Sequence, residues 1–82
     1  MAIVMYTKEG CPFCIRAKEL LANLGQEFEE IDIVENPHRR EEMIEKAHGA
    51  STVPQIFIND RHIGGCDDLH ELHEKGELID LL

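Results

Sequence analysis

Residues 8–18 read KEGCPFCIRAK, and this stretch decides the fold. Two of the chain's three cysteines, Cys11 and Cys14, stand three positions apart with Pro12 and Phe13 between them. Proline suits the first turn of a helix, because its fixed φ is already helical and its missing N–H would have no partner there. From Ala17 the apolar residues Leu20, Leu21 and Leu24 follow at i, i+3, i+4 and i+7, a single helix face that Gly25 is placed to close. Upstream, Ala2–Tyr6 is a short apolar run fitting a buried strand, and Thr7–Gly10 reads as a loop. The cysteine pair therefore falls at a strand–loop–helix junction.

The same reading carries down the chain. In Glu27–Ile33, Phe28, Glu30 and Asp32 oppose Glu29, Ile31 and Ile33, an imperfect alternation that predicts a strand. Asn36 and Pro37 predict a cap and first turn for a second helix, which carries Met43, Ile44 and Ala47 and ends near Gly49. After Pro54, the runs Gln55–Ile58 and Arg61–Ile63 flank Asn59-Asp60, a hairpin signature broken by Gly64 and Gly65. Asp68 with Glu71 predicts a capping box for a last helix, which bears Leu69 and Leu72 and stops at Gly76. The order is β-α-β-α-β-β-α. Strands one and two, joined through a helix, are expected to be parallel by a right-handed crossover, and strands three and four antiparallel. The predicted class is α/β: a four-stranded mixed sheet with three helices packed on its faces, a thioredoxin-like arrangement.

Eighty-two residues make one small domain, 1–82, able to bury about 60–65% of the surface its unfolded chain exposes. No repeat or linker divides it. Three cysteines do not make the dense, even pattern of a secreted disulfide scaffold, so a cytoplasmic protein with reactive or metal-binding cysteines is expected. The start MAIVMY lacks a basic n-region for a signal peptide, and no apolar run approaches the roughly 18 residues of a membrane span. A net charge of −9 disfavours nucleic acid as a partner. The charge is uneven: Lys8, Arg16 and Lys18 against Glu9 make residues 1–18 +2, leaving −11 in the rest. A locally basic site on an acidic protein suits a small anionic ligand or thiolate chemistry, and a chance cluster on a solvated helix face is the bland alternative.

A cysteine just before a helix meets unpaired backbone N–H groups and the positive end of the helix dipole, so its thiolate is favoured. Cys11 has that place. Cys14 lies one turn on, within reach of a disulfide but more enclosed, and Phe13 offers an apolar ring beside the reactive sulfur. Three readings compete: a redox pair, which the strand–loop–helix context favours; a zinc half-site completed by Cys66, His70 or His73; and two inert core cysteines.

The segments YTKEGCPFCIRAKELL, REEM, TVPQIFI and HIGGCDDL together resemble the glutaredoxins, specifically the small bacterial dithiol class, over essentially the whole chain. A thioredoxin would be expected to carry a tryptophan before its CxxC and Gly-Pro inside it, and this chain has no tryptophan. A monothiol, cluster-carrying relative would be expected to have serine in place of Cys14.

The resemblance implies a glutathione-dependent thiol–disulfide oxidoreductase, with Cys11 as nucleophile and Cys14 as resolving partner in a redox disulfide. Its potential would be about −200 to −230 mV, the range typical of that family. It implies a cis Val53–Pro54 bond, with Thr52, Val53 and Pro54 holding the cysteine residue of glutathione as an added strand. It places the γ-glutamyl group at Gly65, Cys66 and Asp67, where glycines admit close approach and a helix N-terminus offers N–H donors. Lys8 would reach the glycyl carboxylate, with Arg40 a second candidate and the register of Arg39 against Arg40 open. Phe13 stands where many relatives have tyrosine, which removes one polar contact. Cys66 is either a passive buried thiol or an oxidation-prone third one. The implied co-substrate is glutathione with no metal, and the implied partners are glutathionylated or disulfide-containing proteins, acted on by a monomer with no membrane or nucleic-acid role. Two rival readings are an iron–sulfur carrier that ligates a shared cluster through Cys11, and a hydrogen donor reduced by a flavoenzyme.

Overall fold

A computed structural model describes residues 2–82. The elements are β1 (Ile3–Thr7), α1 (Pro12–Asn23), β2 (Glu29–Asp32), α2 (Pro37–Lys46), β3 (Gln55–Ile58), β4 (Arg61–Gly64), α3 (Cys66–Glu74) and α4 (Leu78–Leu81). The strands form one sheet in the order β2-β1-β3-β4. β1 and β2 run parallel, with Tyr6 beside Ile31, while β1–β3 and β3–β4 are antiparallel.

Side-chain alternation along the strands divides the core between the two faces of the sheet. Ile3 and Met5 of β1 and Ile56 and Ile58 of β3 pack with Ala17 and Leu21 of α1, Leu69 of α3 and Leu78 of α4. Tyr6, Ile31, Ile33 and Phe57 pack on the other face with Met43 of α2 and Ala47 at its C-cap. Helices thus cover both faces, as the central, doubly covered β1 and β3 require. β2 explains its own imperfect pattern: Ile31 and Ile33 are buried under α2, while Phe28 packs from the opposite side against the first cluster.

Several expectations need correction. Thr7 closes β1 instead of opening the loop, and its buried hydroxyl donates to the Glu30 carboxylate at 2.7 Å. β2 is shorter than 27–33, because residues beyond Asp32 turn: its carboxylate accepts the N–H groups of Val34 and Glu35 at 2.8 and 3.0 Å. Asn36 holds the N-cap position of α2, but its side-chain amide donates to the Asp32 carbonyl and does not cap the helix.

α3 begins one turn earlier than the Asp68/Glu71 pair suggests. Gly65 is its N-cap, and Asp68, in the third helical position, reaches back to accept the Gly65 N–H at 2.9 Å. A fourth helix, α4, lies beyond the expected seven elements. It is a single turn held by Leu78, which is 1% exposed.

The hairpin turn forms as read, with Asn59 and Asp60 at φ of 51° and 67°, the paired positive values of a two-residue turn. Gly64, expected to break the hairpin, is instead the last residue of β4 and pairs with Ile56. The hairpin carries an irregularity between Ile56 and Phe57: Ile56 faces Gly64 while Phe57 faces His62, so β4 contributes one extra residue.

Candidate active site

Cys11 is the N-cap of α1, in extended conformation. Its sulfur accepts the Cys14 backbone N–H at 3.4 Å and lies 3.9 Å from the Val53 carbonyl oxygen. Burial alone would raise its pKa. Hydrogen bonds from Cys14 and from the backbone at Cys14 and Phe13, with the charge of Lys8, outweigh burial and hold the Cys11 thiol below the ordinary range.

Cys14 has the opposite environment. It is 1% exposed, and burial followed by its hydrogen bond to Cys11 pushes its thiol up to about 11. Pro12 opens the helix that separates the two sulfurs by one turn. Both thiols are free.

The segment before β3 lies against this pair. The Val53–Pro54 bond is cis, as the resemblance implied. A groove of about 470 Å³ runs along it, from Phe13 past Thr52, Val53 and Pro54 to Gly65, Cys66 and Asp67 at the start of α3. Phe13 is half exposed at one end, and Asp67 is exposed at the other.

Cys66 is buried at the groove wall, its sulfur 3.4 Å from His70 Nδ1, and burial raises its pKa. A thiol so placed is a poor nucleophile at neutral pH. Among the described residues no three His, Cys, Asp or Glu side chains converge as a metal centre would need.

The basic candidates lie further out. Lys8 is exposed in the turn before α1, close enough for its charge to act on Cys11 but outside the groove lining. Arg40 is exposed on α2 and does not line the groove either. Arg39 is already engaged: its guanidinium holds the Glu42 carboxylate through Nε and Nη2 at 2.9–3.1 Å, and the Tyr6 hydroxyl donates to the same carboxylate.

Five groove residues lie outside the predicted site: Ala50, Gly64, Asp68 and, joined to each other, Gln55 and His62. Gln55 is 3% exposed and joins Thr52 to His62 by hydrogen bonds. The signal for Gln55 was present: a polar residue at the head of the otherwise apolar run QIFI must find partners if the run is buried.

One activated sulfur backed by one silent sulfur is what thiol–disulfide exchange needs, and on this sheet order it marks a thiol–disulfide oxidoreductase of the thioredoxin fold. Comparison narrows the class. The Glutaredoxin family model matches residues 3–63. Glutaredoxin 3 of Escherichia coli K12 is 54% identical over 80 residues, covering 98% of this chain and 95% of its own. The solution structure of glutaredoxin from Brucella melitensis superposes with a TM-score of 0.86 at 51% identity, over 100% of this chain and 88% of that one. A buckwheat glutaredoxin–glutathione complex superposes with a TM-score of 0.89 at 32% identity, over 98% and 74%. The chain belongs to the glutaredoxin family, and it is a glutathione-dependent thiol–disulfide oxidoreductase.

Proposed function

We propose that this oxidoreductase reduces glutathione mixed disulfides through Cys11 alone and protein disulfides through Cys11 and Cys14 together, with the chain 1–82 acting as a single monomeric domain in the cytoplasm. The observation that carries the assignment is the position of the Cys11 sulfur: it caps α1, accepts the Cys14 N–H, and faces the Val53 carbonyl.

In the first cycle the Cys11 thiolate attacks the glutathionyl sulfur of a mixed disulfide. The S–S bond breaks, its electron pair leaves on the other thiol, and Cys11 carries the glutathionyl group. A glutathione thiolate then attacks that group, releases oxidised glutathione and restores the Cys11 thiolate. In the second cycle Cys11 attacks a protein disulfide, and Cys14, once deprotonated, attacks the Cys11 sulfur. The reduced protein leaves, and two glutathione molecules reduce the Cys11–Cys14 bridge. Cys11, with its pKa lowered, gives up its proton more readily than Cys14, whose pKa is raised, so the order of attack is built in.

The groove supports the binding assignments. Thr52, Val53 and Pro54 would pair with the cysteinyl backbone of glutathione, and Phe13 would cover its apolar edge. Gly65, Cys66 and Asp67 would hold the γ-glutamyl end, where the N–H groups opening α3 favour a carboxylate. Lys8 and Arg40 would approach the glycyl carboxylate from outside the groove, Arg40 being the freer of the two α2 arginines because Glu42 holds Arg39.

The test is turnover of a glutathionylated small-molecule disulfide with glutathione, glutathione reductase and NADPH. Cys11→Ser is expected to abolish it. Cys14→Ser is expected to keep it while losing dithiol reduction of a protein disulfide. Activity retained in Cys11→Ser would overturn the nucleophile assignment.

A further inference from the structure

A buried amide must satisfy both of its ends, and Gln55 does so across two elements. Its Nε2 is 3.0 Å from the Thr52 carbonyl oxygen and 3.3 Å from the Thr52 hydroxyl, while its Oε1 is 2.7 Å from His62 Nε2. The Thr52 carbonyl can only accept, so the NH2 group must face it; the flipped amide would set two acceptors against each other. Oε1 therefore faces the ring and can itself only accept, which puts the hydrogen of neutral His62 on Nε2.

The ring is fixed in that orientation. It lies 5.1 Å from the Phe57 ring at 33° and 5.6 Å from the His48 ring, centroid to centroid. Burial and the neighbouring His48 lower the His62 pKa, with Asp68 opposing, so the neutral imidazole is the form present near neutral pH.

We propose that His62 is a positioning residue for glutathionyl recognition, acting through Gln55 to hold Thr52 and Val53 in the path against which the glutathionyl cysteine pairs. This inference rests on the assignment of Val53 to glutathione binding. Without the Nε2–H donor, the Gln55 amide loses the contact that fixes its terminal torsion, a broad two-fold rotor, and its NH2 group is no longer aimed at Thr52. The segment then has to be ordered by the ligand, at a cost to affinity. The hydrogen bonds that lower the Cys11 pKa come from α1 and survive that loss, although the sulfur also faces Val53.

The experiment compares the unsubstituted protein with His62→Phe, which keeps a ring against Phe57 and removes the donor. The KM for a glutathionylated small-molecule disulfide is expected to rise about two- to tenfold, the worth of one net hydrogen bond, with a smaller change in kcat. The rate of Cys11 alkylation by iodoacetamide against pH is expected to stay the same. Gln55→Glu gives an independent check: it keeps an acceptor for His62 but sets a carboxylate against the Thr52 carbonyl, and it is expected to raise the KM as well.

Ring 15N NMR of the unsubstituted protein is expected to find the Nε2–H tautomer. An Nδ1–H tautomer would overturn the proposal, and so would an unchanged KM in His62→Phe. A rise in KM accompanied by a matching fall in alkylation rate and Tm would also overturn it, by showing a merely structural role. If the unsubstituted protein does not distinguish the glutathionylated disulfide from cystamine, the glutathione assignment of Val53 fails first, and the role of His62 fails with it.

Discussion

The backbone N–H of Cys14 points at the sulfur of Cys11, 3.4 Å away, so the second cysteine of the pair helps to activate the first. Pro12 cannot take part in this, having no N–H, and the donors that reach Cys11 come from Phe13 and Cys14. The sequence order of the two sulfurs along α1 therefore becomes a chemical order.

That asymmetry predicts the pH dependence of alkylation. Iodoacetamide is expected to modify Cys11 with an apparent pKa below that of a free thiol, and to leave Cys14 untouched until the pH nears about 11. The linkage to stability has two signs. Cys11, with its folded pKa lowered, adds stability that is fully present above the unfolded thiol value and is lost as pH falls through its folded pKa. Cys14, with its folded pKa raised, adds stability that is fully present below the unfolded value and is lost as pH rises through about 11. Mass mapping of alkylated peptides across a pH series checks the reactivity, and equal labelling of both cysteines at neutral pH would reject it.

Tyr6 allows a similar test on the far side of the sheet. It is the chain's single tyrosine, so phenolate absorbance reads it alone. Burial, then its hydrogen bond to Glu42 and that carboxylate's charge, push it up to about 12. Its contribution to stability is present below the ordinary phenol value and is lost as pH rises through about 12. Tyr6→Phe removes the bond but leaves Glu42 paired with Arg39, so a loss of about 1 kcal/mol is expected, with turnover unchanged. Titration near the ordinary value of 10 would show that the Tyr6–Glu42 bond does not persist in solution.

What the sequence showed depended on whether a signal was local. The CPFC junction, the helix faces and the Asn59-Asp60 turn are each written within a few residues, and all three stand in the fold. The start of α3 was misplaced by a turn because Gly65 has no side chain to announce a cap, whereas Asp68 and Glu71 look like a box of their own. α4 is too short for periodicity, and only the burial of Leu78 defines it. Within the site, Cys11 and Cys14 were legible from residue type and spacing. The groove residues Thr52 to Pro54 and Gly65 to Asp67 came from family resemblance, since nothing local joins them. The Gln55–His62 contact was invisible, because it depends on how the irregular β3–β4 hairpin sets its register.

Gly64 offers the sharpest test of how that hairpin shapes the groove. Its φ is +120°, and a Cβ there would lie 2.3 Å from Asp68 Oδ2 and 2.8 Å from Asp68 Cγ. Gly64→Ala therefore meets two penalties, a strained backbone and a displaced carboxylate. The Asp68 side chain is free to swing away, but doing so gives up the 2.9 Å bond that caps Gly65 and leaves the first N–H at the head of α3 to water. A stability loss of about 1–3 kcal/mol is expected, read as a lower urea midpoint at unchanged m-value. Weaker binding of glutathione is expected with it, because Gly65 and Cys66 form the end of the groove beside that cap. Asp68→Asn separates the two effects: its amide oxygen still accepts the Gly65 N–H and Gly64 is undisturbed, so only the favourable charge at the helix N-terminus is lost, worth about 0.3–1 kcal/mol. If Gly64→Ala proved no more costly than Asp68→Asn, the backbone at Gly64 would not be the constraint that shapes this end of the groove.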